Sequence, residues 1–141
     1  MSKDSETILG FDYGLKRIGV AVGVSLTGQA APLCTVKVRR QKPDWEKISE
    51  LVTEWNPDRF VVGLSMHADH TESPVSSATK HFAASLEKRF KRTADFVDEY
   101  LSSYTAAFHT TKHGLDAEAA RVILETWLTE NIRKNNDENK Q

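Results

Sequence analysis

The chain alternates apolar runs with short polar breaks. Ile8, Leu9 and Phe11 make the first apolar run, and residues 7–11 are predicted to form a buried strand. Tyr13-Gly14-Leu15-Lys16 reads as a tight turn in which Gly14 is free to take a positive φ. Residues 17–24, rich in valine and glycine, form a second strand. A polar turn over residues 25–29 leads to a third strand at 32–38. Two short connections in succession predict an antiparallel meander. The period then becomes helical. Trp45, Ile48, Leu51, Val52 and Trp55 share one face, opened by Pro43-Asp44 and stopped by Asn56-Pro57-Asp58. Residues 59–63 form a fourth strand, returning parallel beside the first after the helical crossover. Ser73-Pro74 starts a helix with Val75, Ala78, Phe82, Leu86 and Phe90 on its buried side. Residues 93–97 form a fifth strand and 102–110 a short helix. The last helix starts at Asp116 and carries the stripe Ala119, Ala120, Ile123, Leu124, Trp127 and Leu128.

The order βββαβαβαα predicts an α/β fold, a mixed five-stranded sheet flanked by helices, in one domain over residues 7–132. No apolar pattern follows Ile132, so residues 133–141 are expected to be a disordered tail. At 39% hydrophobic residues the chain sustains a core, yet no apolar run approaches the ~20 residues of a membrane span. The start, MSKDSET, lacks the basic and apolar parts of a signal peptide. The single cysteine, Cys34, allows no internal disulfide and reads as a packed strand residue. These features predict a cytoplasmic protein with no membrane association.

One acid, Asp12, falls inside the first apolar run. A carboxylate there is costly without a partner. It either accepts hydrogen bonds from the amides of the Gly14 turn or binds a metal. Asp98-Glu99 stands at the end of the fifth strand, and Asp116 at the start of the last helix. Taken alone, Asp116 is best explained as a helix cap. Together, the three places converge: the carboxyl ends of parallel strands lie on one sheet edge, where ligand sites tend to form. Asp116 precedes Ala120 by four residues and Ile123 by seven, in line with the buried face. Converging carboxylates without histidine or cysteine favour Mg²⁺ or Mn²⁺ over zinc.

The formal net charge of −1 argues against a global attraction to nucleic acid. The cations are clustered, however: Lys37, Arg39, Arg40 and Lys42 form one run, and Lys88, Arg89, Lys91 and Arg92 another. Each run has the charge to follow phosphates, although alone each is better explained as a solvated face. Lys16 and Arg17, just after Asp12, are further candidates for phosphate contact. Arg17 is equally suited to pair an acid across the hairpin. His67 and His70 read as loop residues, His81 as exposed or partly packed, and Trp45, Trp55 and Trp127 as core. No Ser-His-Asp spacing, GxxxxGK[ST] or GxGxxG is present.

Four blocks stand in order between Ile8 and Leu128: ILGFDYGLKRIGVAVG, VVGLSMHADHTE, VDEYLSS and GLDAEAARVILETWL. They resemble the YqgF family, also called RuvX, of the ribonuclease H-like fold. The first resembles its D-x-G-x-x-R-I-G-V-A block, with Asp12, Gly14 and Arg17 in place. The second keeps Gly63, Leu64, Asp69, Thr71 and Glu72 of its VVGLP…DGTE loop. The third keeps Asp98, Glu99, Leu101 and Ser102 of DERLST, and the fourth Asp116, Ala117 and Ala120 of its last helix. The resemblance implies a metal-dependent nuclease maturing the 5′ end of pre-16S rRNA in ribosome biogenesis. Asp12, Glu99 and Asp116 would be its catalytic and metal-binding acids, with Asp98 the alternate for Glu99. The related resolvase RuvC carries an acid at the end of the fourth strand. Gly63 stands there in this chain, so the acid at strand five would substitute.

Three departures bear on substrate contact. Tyr100 stands for the arginine of DER, Ser65 for the proline of GLP, and His70 for the glycine after Asp69. Tyr100 keeps a neutral donor and an aromatic face where arginine supplies a charge-assisted donor. The implied reaction is phosphodiester hydrolysis assisted by two Mg²⁺ or Mn²⁺ ions, with Asp12 bridging them. Lys16, Arg17, Arg39, Arg40, Lys88, Arg92 and Tyr100 are the candidate nucleic-acid contacts. The alternatives are an endonuclease acting on branched DNA, as in Holliday junction resolution, and a catalytically weakened module that binds nucleic acid without cutting. The partner in each case is nucleic acid, precursor ribosomal RNA first, and the protein is a monomer or homodimer.

Overall fold

The first apolar run becomes the central strand. The computed structural model describes residues 5–14, 16–40, 42–64, 74–98 and 115–138, with the backbone alone at 64, 74–76, 98, 115, 116 and 131–138. Strand β1 (Thr7–Tyr13) pairs antiparallel with β2 (Arg17–Val24) and parallel with β5 (Arg59–Leu64). Strand β3 (Gln29–Arg39) continues the meander, and β6 (Ala94–Asp98) lies parallel beside β5. Helix α1 (Trp45–Trp55) leads to β5, α2 (Pro74–Phe90) joins β5 to β6, and α3 (Leu115–Glu138) closes the described chain. No described helix is long and apolar enough to cross a membrane.

The sheet has six strands in the order β4-β3-β2-β1-β5-β6, where five were expected. The sixth is β4 (Lys42–Pro43), which pairs with Val38 and Arg39. Two residues show no alternation, and a proline with no N–H to give belongs at a sheet edge. Strand β3 also starts three residues earlier than expected. Pro32 obscured its length, and the register shifts between Val20 and Ala21, so that Pro32 and Cys34 face successive residues of β2. A bulge accommodates the missing donor. The expected short helix at 102–110 lies outside the described residues. Helix α3 runs on to Glu138 through a polar stretch with no apolar pattern. Once nucleated, a helix gains one bond per residue added, and no proline or glycine interrupts this one.

The two faces of the sheet are packed differently. Leu9, Phe11 and Tyr13 of β1 meet Ile48, Leu51 and Val52 of α1 and Phe82 and Leu86 of α2 in a large aromatic and aliphatic cluster. Phe11 stands edge-on to Phe82 with ring centroids 5.5 Å apart. Cys34 packs against this cluster, and burial raises its thiol pKa. Trp45 packs there too, whereas Trp55, expected in the core, ends α1 and is 38% exposed. Helix α1 starts as predicted: the Asp44 carboxylate accepts the Lys47 N–H at 3.2 Å, and Asn56 ends it in a left-handed conformation (φ 43°).

On the other face, α3 lies on glycine. A Cβ at Gly10 would come 2.9 Å from Leu124 Cβ, one at Gly23 2.9 Å from Leu124 Cδ2, and one at Gly63 2.4 Å from Ile123 Cδ1. Ala21 and Ala120 extend this floor of small residues. Glu125 ties the helix to β3 by accepting the Ala30 N–H at 3.1 Å, and itself pairs with Arg121 at 2.8 Å. Gly14 is needed for a related reason, and not for the positive φ expected of it: a Cβ there would lie 2.7 Å from the Arg17 carbonyl oxygen.

This packing predicts a ranking. Gly10→Ala is expected to lose about 1–3 kcal/mol, because the opposing Leu124 Cβ is fixed to the helix backbone. Gly23→Ala meets the mobile ends of Leu124 and Leu128 and loses less. Urea unfolding of both variants measures the order.

Candidate active site

Asp12 is half-buried and lies inside β1, one residue before its end. Side chains alternate along a strand. Leu9, Phe11 and Tyr13 point toward α1 and α2, so Ile8, Gly10 and Asp12 point toward α3. Across the sheet Asp12 pairs with Gly19 of β2 and Gly63 of β5. Asp12 thus has a glycine on either side in its own row, and over one of them, Gly63, the Ile123 side chain takes the space that a Cβ would occupy. Strands β1, β5 and β6 are parallel, so their carboxyl ends share one edge. Asp12, Gly63 and Val97 form one row there, and Asp98 lies opposite Leu64 one step further.

Helix α3 brings the backbone of Asp116 to the same edge. It runs against β1: Leu128 and Leu124 stand over Gly23, then Leu124 and the Ala120 carbonyl over Gly10. Asp12 is two residues further along β1, about 6.8 Å. Asp116 is four residues before Ala120, about 6 Å along the helix axis. Both advances go the same way, so the two backbone positions arrive at one level. That brings the two backbones to one edge of the sheet, while the side chain of Asp116 lies outside what is described. Glu99, Tyr100, Ser65, His67 and His70 lie outside the described residues. Among the described residues no group of three or more metal-ligating side chains occurs. The donor at Asp12, a carboxylate oxygen, fits a hard divalent cation.

The cations divide between two ends of the sheet. Lys16 and Arg17 follow β1 at the Asp12 edge. Arg17 pairs in register with Lys37 of β3, and all three side chains are exposed. Arg39 ends β3, and Arg40 (φ 51°) turns the chain toward Lys42 of β4, also at this edge. Arg92 is at the opposite end. Its guanidinium donates to the Phe90 carbonyl at 3.1 Å and to Asn56 Oδ1 at 3.0 Å, linking the ends of α2 and α1. Lys88 is exposed in the last turn of α2. Arg92 and Lys88 thus stand apart from Arg39 and Arg40, whereas Lys42 and Arg89, one from each run, line one groove.

Two features were missed at the sequence level. The glycines flanking Asp12 depend on register, which a single chain does not print. The second is a groove of about 490 Å³ on the α1/α2 side, with Tyr13, Trp45, Phe82, Lys42, His81 and Arg89 in its walls. Its residues come from four elements, and only the aromatic stripe of α1 hinted at it.

A family model described as "RuvX: Holliday junction resolvase" matches residues 6–130. Three relatives carry the name "Putative pre-16S rRNA nuclease". The one from Legionella pneumophila is 44% identical, covering 85% of this chain and 93% of its own length. The one from Pseudomonas putida is 41% identical, covering 91% and 98%. The one from Nitrosococcus oceani is 40% identical, covering 87% and 86%. Among solved structures, Thermus thermophilus RuvC in complex with a Holliday junction substrate aligns with a TM-score of 0.58 at 13% identity, over 90% of this chain and 96% of that one. The fowlpox virus Holliday junction resolvase aligns with a TM-score of 0.51 at 14% identity, over 88% and 99%. At such identities these two likenesses concern the fold, which is RuvC-like and ribonuclease H-like. With nearly its whole length matched by the family model and by relatives at 40–44% identity, the chain belongs to the RuvX family.

Proposed function

We propose that the protein is a nuclease that hydrolyses phosphodiester bonds, with the 5′ end of pre-16S rRNA as its substrate. The observation that carries this reading is Asp12: a half-buried carboxylate near the end of β1, at the edge shared by the carboxyl ends of three parallel strands. The relatives' shared name supports the substrate. Glu99 is the third acid in this reading, and Asp98 is the alternate.

Asp12, Glu99 and Asp116 would hold Mg²⁺ or Mn²⁺. When bound, the cation supplies Lewis-acid polarisation of the scissile phosphoryl group and lowers the pKa of the attacking water. The chain's own contribution is placement. Asp12 stands at the shared carboxyl edge of the parallel strands, where a phosphate can approach it. Arg17 and Lys37, directly opposite across a strand pair, set two positive charges side by side at this edge. Arg39, Arg40 and Lys42 extend that charge along the edge, and Lys16 stands beside it. Tyr100 would contact substrate with its neutral donor and aromatic face. A second reading, cleavage of branched DNA, is favoured by the description of the matching family model.

The test offers precursor 16S rRNA and a four-way DNA junction to the purified protein with Mg²⁺, Mn²⁺ or EDTA. Cutting of the RNA alone supports the first reading, cutting of the junction alone the second, and cutting of neither refutes both. Asp12→Asn, Glu99→Gln and Asp116→Asn are each expected to reduce cleavage by more than the roughly 10–100-fold typical of losing a group that merely supports a metal ligand. Each should also shrink the rise in melting temperature that Mn²⁺ produces, because that rise reports binding to the folded state. Asparagine caps a helix about as well as aspartate. An Asp116→Asn protein with full activity would therefore reduce Asp116 to a cap.

The division of the cations gives a second expectation. Replacing Arg39 and Arg40 by glutamine should weaken RNA binding and flatten its salt dependence, by roughly 0.7 in log–log slope for each single-strand phosphate that is no longer neutralised. Arg92→Gln should leave that slope unchanged and lower the melting temperature, since its guanidinium is committed to Phe90 and Asn56.

A further inference from the structure

The groove on the α1/α2 side opens on the face of the sheet away from Asp12. Tyr13 is the next residue after Asp12 and, by strand alternation, lies in the groove wall. One peptide bond thus separates a carboxylate on one face from an aromatic ring on the other, at the same sheet edge. Phe82 packs against Tyr13 with centroids 5.1 Å apart and stacks on Trp45 at 5.5 Å and 24°. The Arg89 guanidinium lies over the Trp45 ring, 4.2 Å from its centroid. Arg89 is exposed, so its guanidinium over the indole is open to a ligand.

These walls have a definite chemistry. One is aromatic and carries a restrained planar cation, which suits the face of a nucleobase. Lys42 and Arg89 supply charge for a phosphate, and His81 adds a ring nitrogen. Asp44 is the acid in the lining, and its carboxylate is already occupied as the cap of α1. The volume of about 490 Å³ lies within the range of about 300–1,000 Å³ usual for small-ligand sites. A base reaches such a wall only when it is unstacked, so a paired duplex cannot use it.

We infer that this groove binds one nucleotide of a single-stranded nucleic acid, flanking the bond to be cut, with its base against Arg89 and Trp45 and its phosphate near Lys42. The inference rests on the nuclease reading for the identity of the substrate. It makes that substrate one that is unpaired beside the cleavage point.

The test uses the full chain with Asp12→Asn, in EDTA, so that binding is read without cleavage. The probes are a fluorescein-labelled single-stranded oligoribonucleotide, a single-stranded oligodeoxynucleotide of the same sequence, and an RNA duplex of the same length. Adding Arg89→Gln is expected to weaken single-strand binding roughly tenfold or more while leaving duplex binding unchanged. Loss for RNA alone, or for RNA and DNA alike, supports the site and tells whether it reads the sugar. Unchanged single-strand binding, or equal loss for strand and duplex, overturns it. A single strand carrying 5-iodouridine gives a reading that needs no groove variant. Photo-crosslinks at Trp45 or Tyr13 support the inference, and crosslinks confined elsewhere overturn it. If wild-type protein cuts nothing yet Arg89→Gln weakens strand binding, the nuclease reading fails and the groove stands. If wild type cuts and Arg89→Gln binds unchanged, the reverse holds.

Discussion

Everything at the Asp12 edge depends on how closely α3 approaches the sheet. Gly10, Gly23 and Gly63 come from three different strands, and each lacks the one carbon that would collide with Ile123 or Leu124. Close approach gives dense packing for a long helix against small residues, and dispersion falls off steeply when such packing opens. It also sets height and direction. Because Leu128, Leu124 and Ala120 each have a fixed station, the first turn of α3 has a fixed station too. The helix thus acts as a ruler laid from Gly23 to the end of β1.

Much of this was legible in the sequence. The three meander strands, both crossover helices and the placement of Asp12 at the end of a buried strand follow from periodicity and turn chemistry. The meaning of Gly63 did not follow. It stood out as a missing acid, whereas the structure gives it a steric task beneath Ile123 and a place in Asp12's row. Strand pairing is a long-range fact, and no local pattern states which residue faces which. Likewise Arg92 looked like part of a phosphate-binding run. Its reach to Asn56, 36 residues away, makes it a link between two helix ends.

The opposite end of the sheet is held by different means. Arg59 opens β5 and lies between Glu6, 3.1 Å away, and Asp95, 3.5 Å away, with its guanidinium 5.5 Å from the Trp127 ring centroid. Asp58 accepts the Thr7 N–H at 2.9 Å and donates its own N–H to the Thr7 carbonyl at 2.7 Å, so the starts of β1 and β5 are locked in register. Charges at that end are matched with each other. At the Asp12 edge, cations stand opposite cations, as Arg17 does Lys37. Described cations thus gather at the edge where a polyanion is proposed to lie.

The glycine floor has a consequence for how this protein can change. The aromatic cluster under α1 and α2 is built of large, mixed shapes, and such cores tolerate exchange among side chains of similar total volume. The α3 face has no volume left to trade, since its sheet residues at Gly10, Gly23 and Gly63 are already the smallest available. Any gain in robustness, by natural drift or by engineering, must therefore come from the α1/α2 side or from the surface. The two halves of the molecule evolve under unequal freedom. One face is an upholstery that can be refilled, and the other is a fitted joint that admits only its own helix.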